Sequence, residues 1–175
     1  IDTGVTGIAY ETVTSSDGSM PLLAPMSSIA GQLAFVVGSY HLLKHNNGKG
    51  VMIGRMDNMD PRVVTVIGAG VSGSQSILKA IDNNALVKVV DSSQSKLDEL
   101  KLQYGSNNVE YILSTKDSIQ SSINDSDLVI GSVYVVGKEA PKVITREMLS
   151  SMNPGTVMVD VSIDQGGCFE TSKPT

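Results

Sequence analysis

The sequence has one cysteine, Cys168, no tryptophan, and only two phenylalanines and five tyrosines in 175 residues. One cysteine excludes an intrachain disulfide framework and leaves no CxxC pair for a metal. It fits a reducing compartment, so a cytoplasmic location is expected. With aromatics at 4%, the core must be aliphatic, as in parallel sheets rich in Val and Ile. Long apolar runs are missing too. None reaches the roughly 18 residues that a membrane span needs, so no membrane partner is expected. Runs of Lys or Arg are absent, and the net charge is −5. That excludes nucleic acid as the main partner, because phosphate neutralisation needs clustered basic side chains. It does not exclude a small phosphorylated ligand, which backbone N–H groups can bind without lysine. The opening IDTGVTGIAY has neither an initiator Met nor a signal-peptide layout, and the ending ETSKPT is abrupt. Both lead us to expect one domain of a longer protein.

What is present suits a single folded domain. The chain is 41% hydrophobic and 18% charged, enough for one full core and too short for two ordinary domains. Val5 to Val13 carries β-type residues, and TSSDGSMP reads as loop. A long helix is expected from Ser27 or Ser28, with Ile29, Leu33, Val36, Val37, Tyr40 and Leu43 on one face. NNGKG ends it. From Pro61 onward, short apolar strands alternate with helices five times. The last expected helix is ITREMLSSMNPG, capped by Thr145 and ended by Pro154-Gly155. Strands this apolar are buried on both faces. The pattern predicts an α/β fold: a Rossmann-type doubly wound parallel sheet, preceded by the long helix.

Gly68-Ala69-Gly70-Val71-Ser72-Gly73 matches GxGxxG. Alone the motif is weak, but here it follows the first strand of the alternating set and opens a helix. Gly68 permits the tight turn, Gly70 clears the approach of a pyrophosphate, and Gly73 lets helix and strand pack closely. The helix N-terminus adds free N–H groups and partial positive charge. The next expected strand ends on Asp91, eighteen residues after Gly73. A carboxylate there accepts hydrogen bonds from the adenosine ribose hydroxyls and repels a 2′-phosphate, which favours NAD over NADP. Lys96 can reach the same ribose, or is simply a solvated lysine. Ser114 ends the third strand, either at the ligand edge or as a helix cap. The fourth strand runs into GSVYVVG, with Gly131 and Gly137, where backbone and ligand could approach closely. Cys168 reads as a small buried residue, with no base nearby in sequence. His41 and His45 lie four apart on the first helix, but no acidic third ligand stands near them. They read as solvated or helix-end histidines, and no metal site is expected.

GIAYETV, MPLLAPMSSIAGQ, VIGAGVSG, DLVIGSV with APKVITREML, and NPGTVMVDVSIDQGGCFETSKPT together resemble the alanine dehydrogenase family. The family resembles in turn the NAD-binding α-subunit of proton-translocating NAD(P) transhydrogenase, and DVSIDQGGCFE favours the dehydrogenase. The resemblance implies reversible, NAD-dependent oxidative deamination of L-alanine to pyruvate and ammonia by a homohexamer. It implies cofactor contacts from Ser27, from the turn Gly68, Ala69, Gly70, Val71 and Ser72, from Asp91 and Lys96 at the ribose, Ser114 by the adenine and Val133 by the nicotinamide. Asp164 would be the catalytic acid, at the carboxyl edge where the ligand crevice lies; the alternative is a loop acid bonding backbone N–H groups. The family's N-terminal substrate domain and C-terminal helices are expected to lie outside this sequence. Residues 1–175 would then be a single NAD-binding domain, inactive alone.

Overall fold

A computed structural model describes residues 3–54, 57–135 and 138–174. Five parallel strands form one sheet: β1 Val63–Ile67, β2 Leu86–Asp91, β3 Val109–Leu113, β4 Leu128–Gly131 and β5 Val157–Asp160, in the spatial order β3-β2-β1-β4-β5. The order reverses beside β1, so the crevice between the carboxyl ends of β1 and β4 is the fold's natural ligand position. Val64, Val66, Leu128 and Ile130 in the two central strands are fully buried, each such side chain stabilising the fold by roughly 1.5–3 kcal/mol.

Among the described residues, four α-helices cover the sheet: α1 Leu23–His41, α2 Val71–Asp82, α3 Gln94–Tyr104 and α4 Lys116–Ile123. One core lies under α1, α2 and α3, with Ala34, Phe35, Ile77, Leu97 and Leu100 against β1, β2 and β4. The second lies on the opposite face, where Ile119 and Ile123 of α4 pack with Ile144, Met148, Cys168 and Phe169. Among the buried residues of each core there is a single aromatic, Phe35 in the first and Phe169 in the second. The doubly wound parallel sheet read from the sequence is therefore the observed fold. Ser93 caps α3 by accepting from the Lys96 N–H, and Gly105 ends it at φ +74°. At α4 the cap is Thr115, in a reciprocal capping box with Ser118, and not Ser114.

The differences have physical reasons. Val5 to Val13 forms no strand; it is almost wholly exposed, with a 3₁₀ turn at Tyr10–Thr12. No edge of the sheet pairs with it, and an isolated strand is not stable in water. Helix α1 starts at Leu23, so Ser27 and Ser28 lie inside it and do not cap it. Pro25 falls in the first turn, where an N–H has no helical acceptor and its loss is harmless. The helix ends at His41, before NNGKG, and a 3₁₀ turn at Lys44–Asn46 follows. The segment expected as a last helix holds only a 3₁₀ turn, Met148–Ser151. Thr145 caps nothing: its hydroxyl is buried without a partner, and the neighbouring Arg146 N–H donates to the Glu170 carboxylate at 2.7 Å.

Candidate functional site

The glycine turn joins β1 to α2 at the carboxyl edge of the sheet. Gly68 has φ +92°, and its N–H donates to Val90 O at 2.8 Å. A Cβ on Gly68 would lie 2.5 Å from Ser132 O, and one on Gly73 would lie 1.8 Å from Gly68 O. Both positions are thus closed to any side chain by backbone. Gly70 is the opposite case, since a Cβ there would meet nothing within 4 Å. Open space lies above the one glycine that a pyrophosphate has to approach. Gly70 is also the N-cap of α2 and offers no side chain to the helix end. The N–H groups of Val71, Ser72 and Gly73 therefore have no intrahelical acceptor. The Ser72 hydroxyl is buried and unpartnered, and a phosphate oxygen is the kind of acceptor it lacks. Ala69 is fully buried, while Val71 is 49% exposed at the mouth.

Asp91 stands at the end of β2, beside this turn. Its Oδ2 accepts the Ala69 N–H at 2.7 Å and its Oδ1 accepts the Ser93 N–H at 2.8 Å. The carboxylate therefore holds the glycine turn in shape, and each oxygen keeps a lone pair for a ribose hydroxyl. Ser114 follows β3, and its N–H donates to Asp91 O at 2.8 Å, so it borders the same edge. Lys96 is on α3 with its ammonium 3.5 Å from the Glu99 carboxylate. It is a surface lysine with a neighbouring acid, close in sequence to the Asp91 edge but not engaged with it.

Helix α1 forms the back of the turn. A Cβ on Gly31 would lie 2.0 Å from Ser72 O, and the Ser76 hydroxyl donates to Gly31 O at 2.7 Å. Ser27 is half-buried, one helical turn before Gly31 and on the same face. The sequence thus places Ser27 on the side of α1 that meets the turn. His41 and His45 are elsewhere, both edge-on to the Tyr40 ring at about 5.5 Å. Among the described residues, no group of three His, Cys, Asp or Glu side chains is placed to hold a metal.

Past the switch point, β4 and β5 end in two linked loops. The Ser132 hydroxyl donates to Gly68 O at 2.7 Å, and the Ser162 hydroxyl donates to Val133 O at 2.8 Å. Val133 is half-buried at this edge; Gly137 lies outside the described residues. Asp164 lies in the 3₁₀ turn Ile163–Gln165 and is exposed. The role of loop acid belongs to another residue, Asp160, whose carboxylate accepts the N–H groups of Ser162, Cys168 and Phe169 and the hydroxyl of Ser172. Asp160 and Ser132 were not legible from the sequence, because their partners are mainly backbone atoms brought close only by the fold. Cys168 is fully buried with its thiol 3.3 Å from Asp160 Oδ1. Burial first, then the Asp160 charge, pushes its pKa up to about 12, so it is inert at neutral pH.

The site brings together an open glycine turn, the Asp91 carboxylate at the end of β2 and the exposed Asp164 carboxylate beyond β5. Among the described residues, no helix is long and apolar enough to cross a membrane. The family model "Alanine dehydrogenase/PNT, C-terminal domain" matches residues 34–175. An alanine dehydrogenase of Halomonas elongata is 47% identical over the whole chain, which covers 47% of that protein. The chain therefore spans about half the length of the curated relatives it matches. A solved L-alanine dehydrogenase superposes with a TM-score of 0.92 at 39% identity, over 96% of this chain and 46% of that one. A transhydrogenase from Sinorhizobium meliloti follows at 0.75 and 26%, over 86% of this chain and 44% of that one. Sequence, fold and the geometry of the glycine turn agree: this chain belongs to the alanine dehydrogenase/PNT C-terminal domain family.

Proposed function

We propose that this chain is the NAD-binding part of an alanine dehydrogenase, which interconverts L-alanine and pyruvate with release or uptake of ammonia. One observation carries the reading: the space above Gly70 is open while Gly68 and Gly73 are closed by backbone, and Asp91 stands beside that opening. In this reading Val71 and Ser72 hold the pyrophosphate through their N–H groups, with Gly68, Ala69, Gly70 and Gly73 shaping the turn. Asp91 accepts the adenosine ribose hydroxyls, with Lys96 and Ser114 at the same end and Ser27 behind the turn. Val133 lines the nicotinamide side. When bound, the cofactor would accept the hydride from the alanine Cα. Asp164 would orient or move a proton at the amine or at the attacking water, the transfers that deamination requires. A cytoplasmic location follows from the same reading.

The family resemblance also proposes a homohexamer, and α1 supports self-assembly. Leu22, Met26, Ile29, Leu33, Val36 and Tyr40 alternate spacings of four and three, and all are 45–59% exposed. That is the a/d pattern of a helix that packs against another helix. No Asp, Glu, Lys or Arg lies in α1, so a second copy of the same helix meets no like charge. Titrating the chain with NADH and with NADPH, followed by cofactor fluorescence, tests the proposal. NADH binding with weaker NADPH binding is expected; no binding at millimolar cofactor, or a preference for NADPH, overturns it.

A further inference from the structure

We infer that Lys142 and Asp160 are positioning residues that hold the Asp164 turn from opposite sides. This rests on the reading above that Asp164 serves the cofactor and substrate. Within the turn, the Gln165, Gly166 and Gly167 N–H groups donate to Ser162 O, Ile163 O and Ser162 O. Asp164 is exposed, and the two glycines after it, Gly166 and Gly167, sit at φ +86° and +75°. Asp160, at the end of β5, grips both ends. It accepts the Ser162 N–H at 3.1 Å where the turn begins, and the Cys168 and Phe169 N–H groups at 2.9 and 3.1 Å where it closes. The Ser172 hydroxyl adds a bond at 2.6 Å. Lys142 takes the carbonyl side. Its ammonium donates to Gly166 O and, at 2.6 Å, to Gly167 O, and next to it the Ala140 N–H donates to Gln165 O at 2.9 Å.

Anion on the amides and cation on the carbonyls make charge-assisted bonds, stronger than neutral ones. Among the described residues, neither side chain is in an ion pair. Their charges are spent on the backbone of this turn. The location gives the clamp a selective effect. Asp91 lies at the end of β2 and the Asp164 turn follows β5, on either side of β1 and β4. A dinucleotide across the switch point puts its adenosine half near Asp91 and its other half over the Asp164 turn. Loosening the clamp therefore acts on the nicotinamide half alone.

Lys142→Met keeps the aliphatic stem and removes the donor, and Lys142→Arg restores a cationic donor. The first readout is amide hydrogen exchange without ligand. The Gly166 and Gly167 N–H groups donate to Ile163 O and Ser162 O, and in Lys142→Met their exchange should rise about tenfold while β1–β4 amides stay unchanged. The second readout compares NADH with ADP, which lacks the nicotinamide half. NADH affinity should fall roughly fivefold with ADP affinity unchanged, and Lys142→Arg should recover most of the loss. Unchanged exchange at Gly166 and Gly167 overturns the clamp. Equal weakening of NADH and ADP overturns the positioning role, since a merely destabilised fold would do that. If the unaltered chain binds neither nucleotide, the proposed function falls and the cofactor effect falls with it, while the exchange data separately decide whether the clamp exists.

Discussion

On its inner face α1 buries Gly31, Ala34, Phe35 and Gly38, mostly small residues, against the sheet and the start of α2. On its outer face Ile29, Leu33, Val36, Val37 and Tyr40, all larger than Gly or Ala, are 44–59% exposed. Hydropathy ranks the two faces the wrong way round for an isolated domain. The inner face is chosen by distance: glycine lets α1 approach until its backbone touches the turn that opens α2, at Ser72 O. The outer face is chosen by what covers it. Periodicity finds an apolar stripe on a helix but does not say whether its partner is the same domain or another chain.

Substitutions can separate the two faces. The largest effect is expected on the inner one. Gly31→Leu drives a side chain into Ser72 O, which should destabilise the chain by about 3 kcal/mol in urea unfolding and remove NADH binding. Normal stability would show that the close approach is not needed. On the outer face, Leu33→Glu should weaken self-association about a hundredfold, or about 2.7 kcal/mol, read by sedimentation at several concentrations. Its effect on the stability of a single copy should stay within about 0.5 kcal/mol, as for an exposed position. An unaltered association state would mean that something else covers the seam. Asp91→Asn then isolates the cofactor side. It should lower the preference for NADH over NADPH about tenfold, without changing association. A preference left intact would remove Asp91 from the ribose.

A separate effect, independent of α1, lies on the far face of the sheet and should be the same in both α1 variants. Burial first, then the Asp160 charge, raises the Cys168 pKa from the ordinary 9.0 to about 12 in the folded chain. Above pH 9 the unfolded state has lost this proton and the folded state has not, so stability should fall as pH rises toward 12. The slope is at most about 1.4 kcal/mol per pH unit. Cys168→Ala should abolish that component of the alkaline loss.

What the sequence revealed follows the same division. The glycine turn was legible because each glycine answers a local demand, a positive φ at Gly68 or a backbone contact at Gly73. The doubly wound parallel sheet needed only the alternation of elements, and Asp91 only its place at a strand end. The inner face of α1 was hidden, because Gly31 and Gly38 carry no hydropathic signal. Asp160 and Lys142 were hidden for another reason. They bond backbone atoms of a turn that exists only once β4, β5 and the 138–145 segment have come together. Thr145 looked like a cap by position, yet no α-helix follows it, and Glu170, 24 residues beyond Arg146, holds the Arg146 N–H from a distance in sequence. Local rules lost wherever a long-range partner was available.

Crystals grown with NAD+ give the most direct test of the central claim, that the turn backed by α1 holds a dinucleotide across the switch point. We expect the pyrophosphate above Gly70, hydrogen-bonded to the Val71 and Ser72 N–H groups. The adenosine ribose should lie on Asp91, and the nicotinamide half toward Val133 and Asp164. A nucleotide bound elsewhere, or a turn still empty at saturating cofactor, would contradict it.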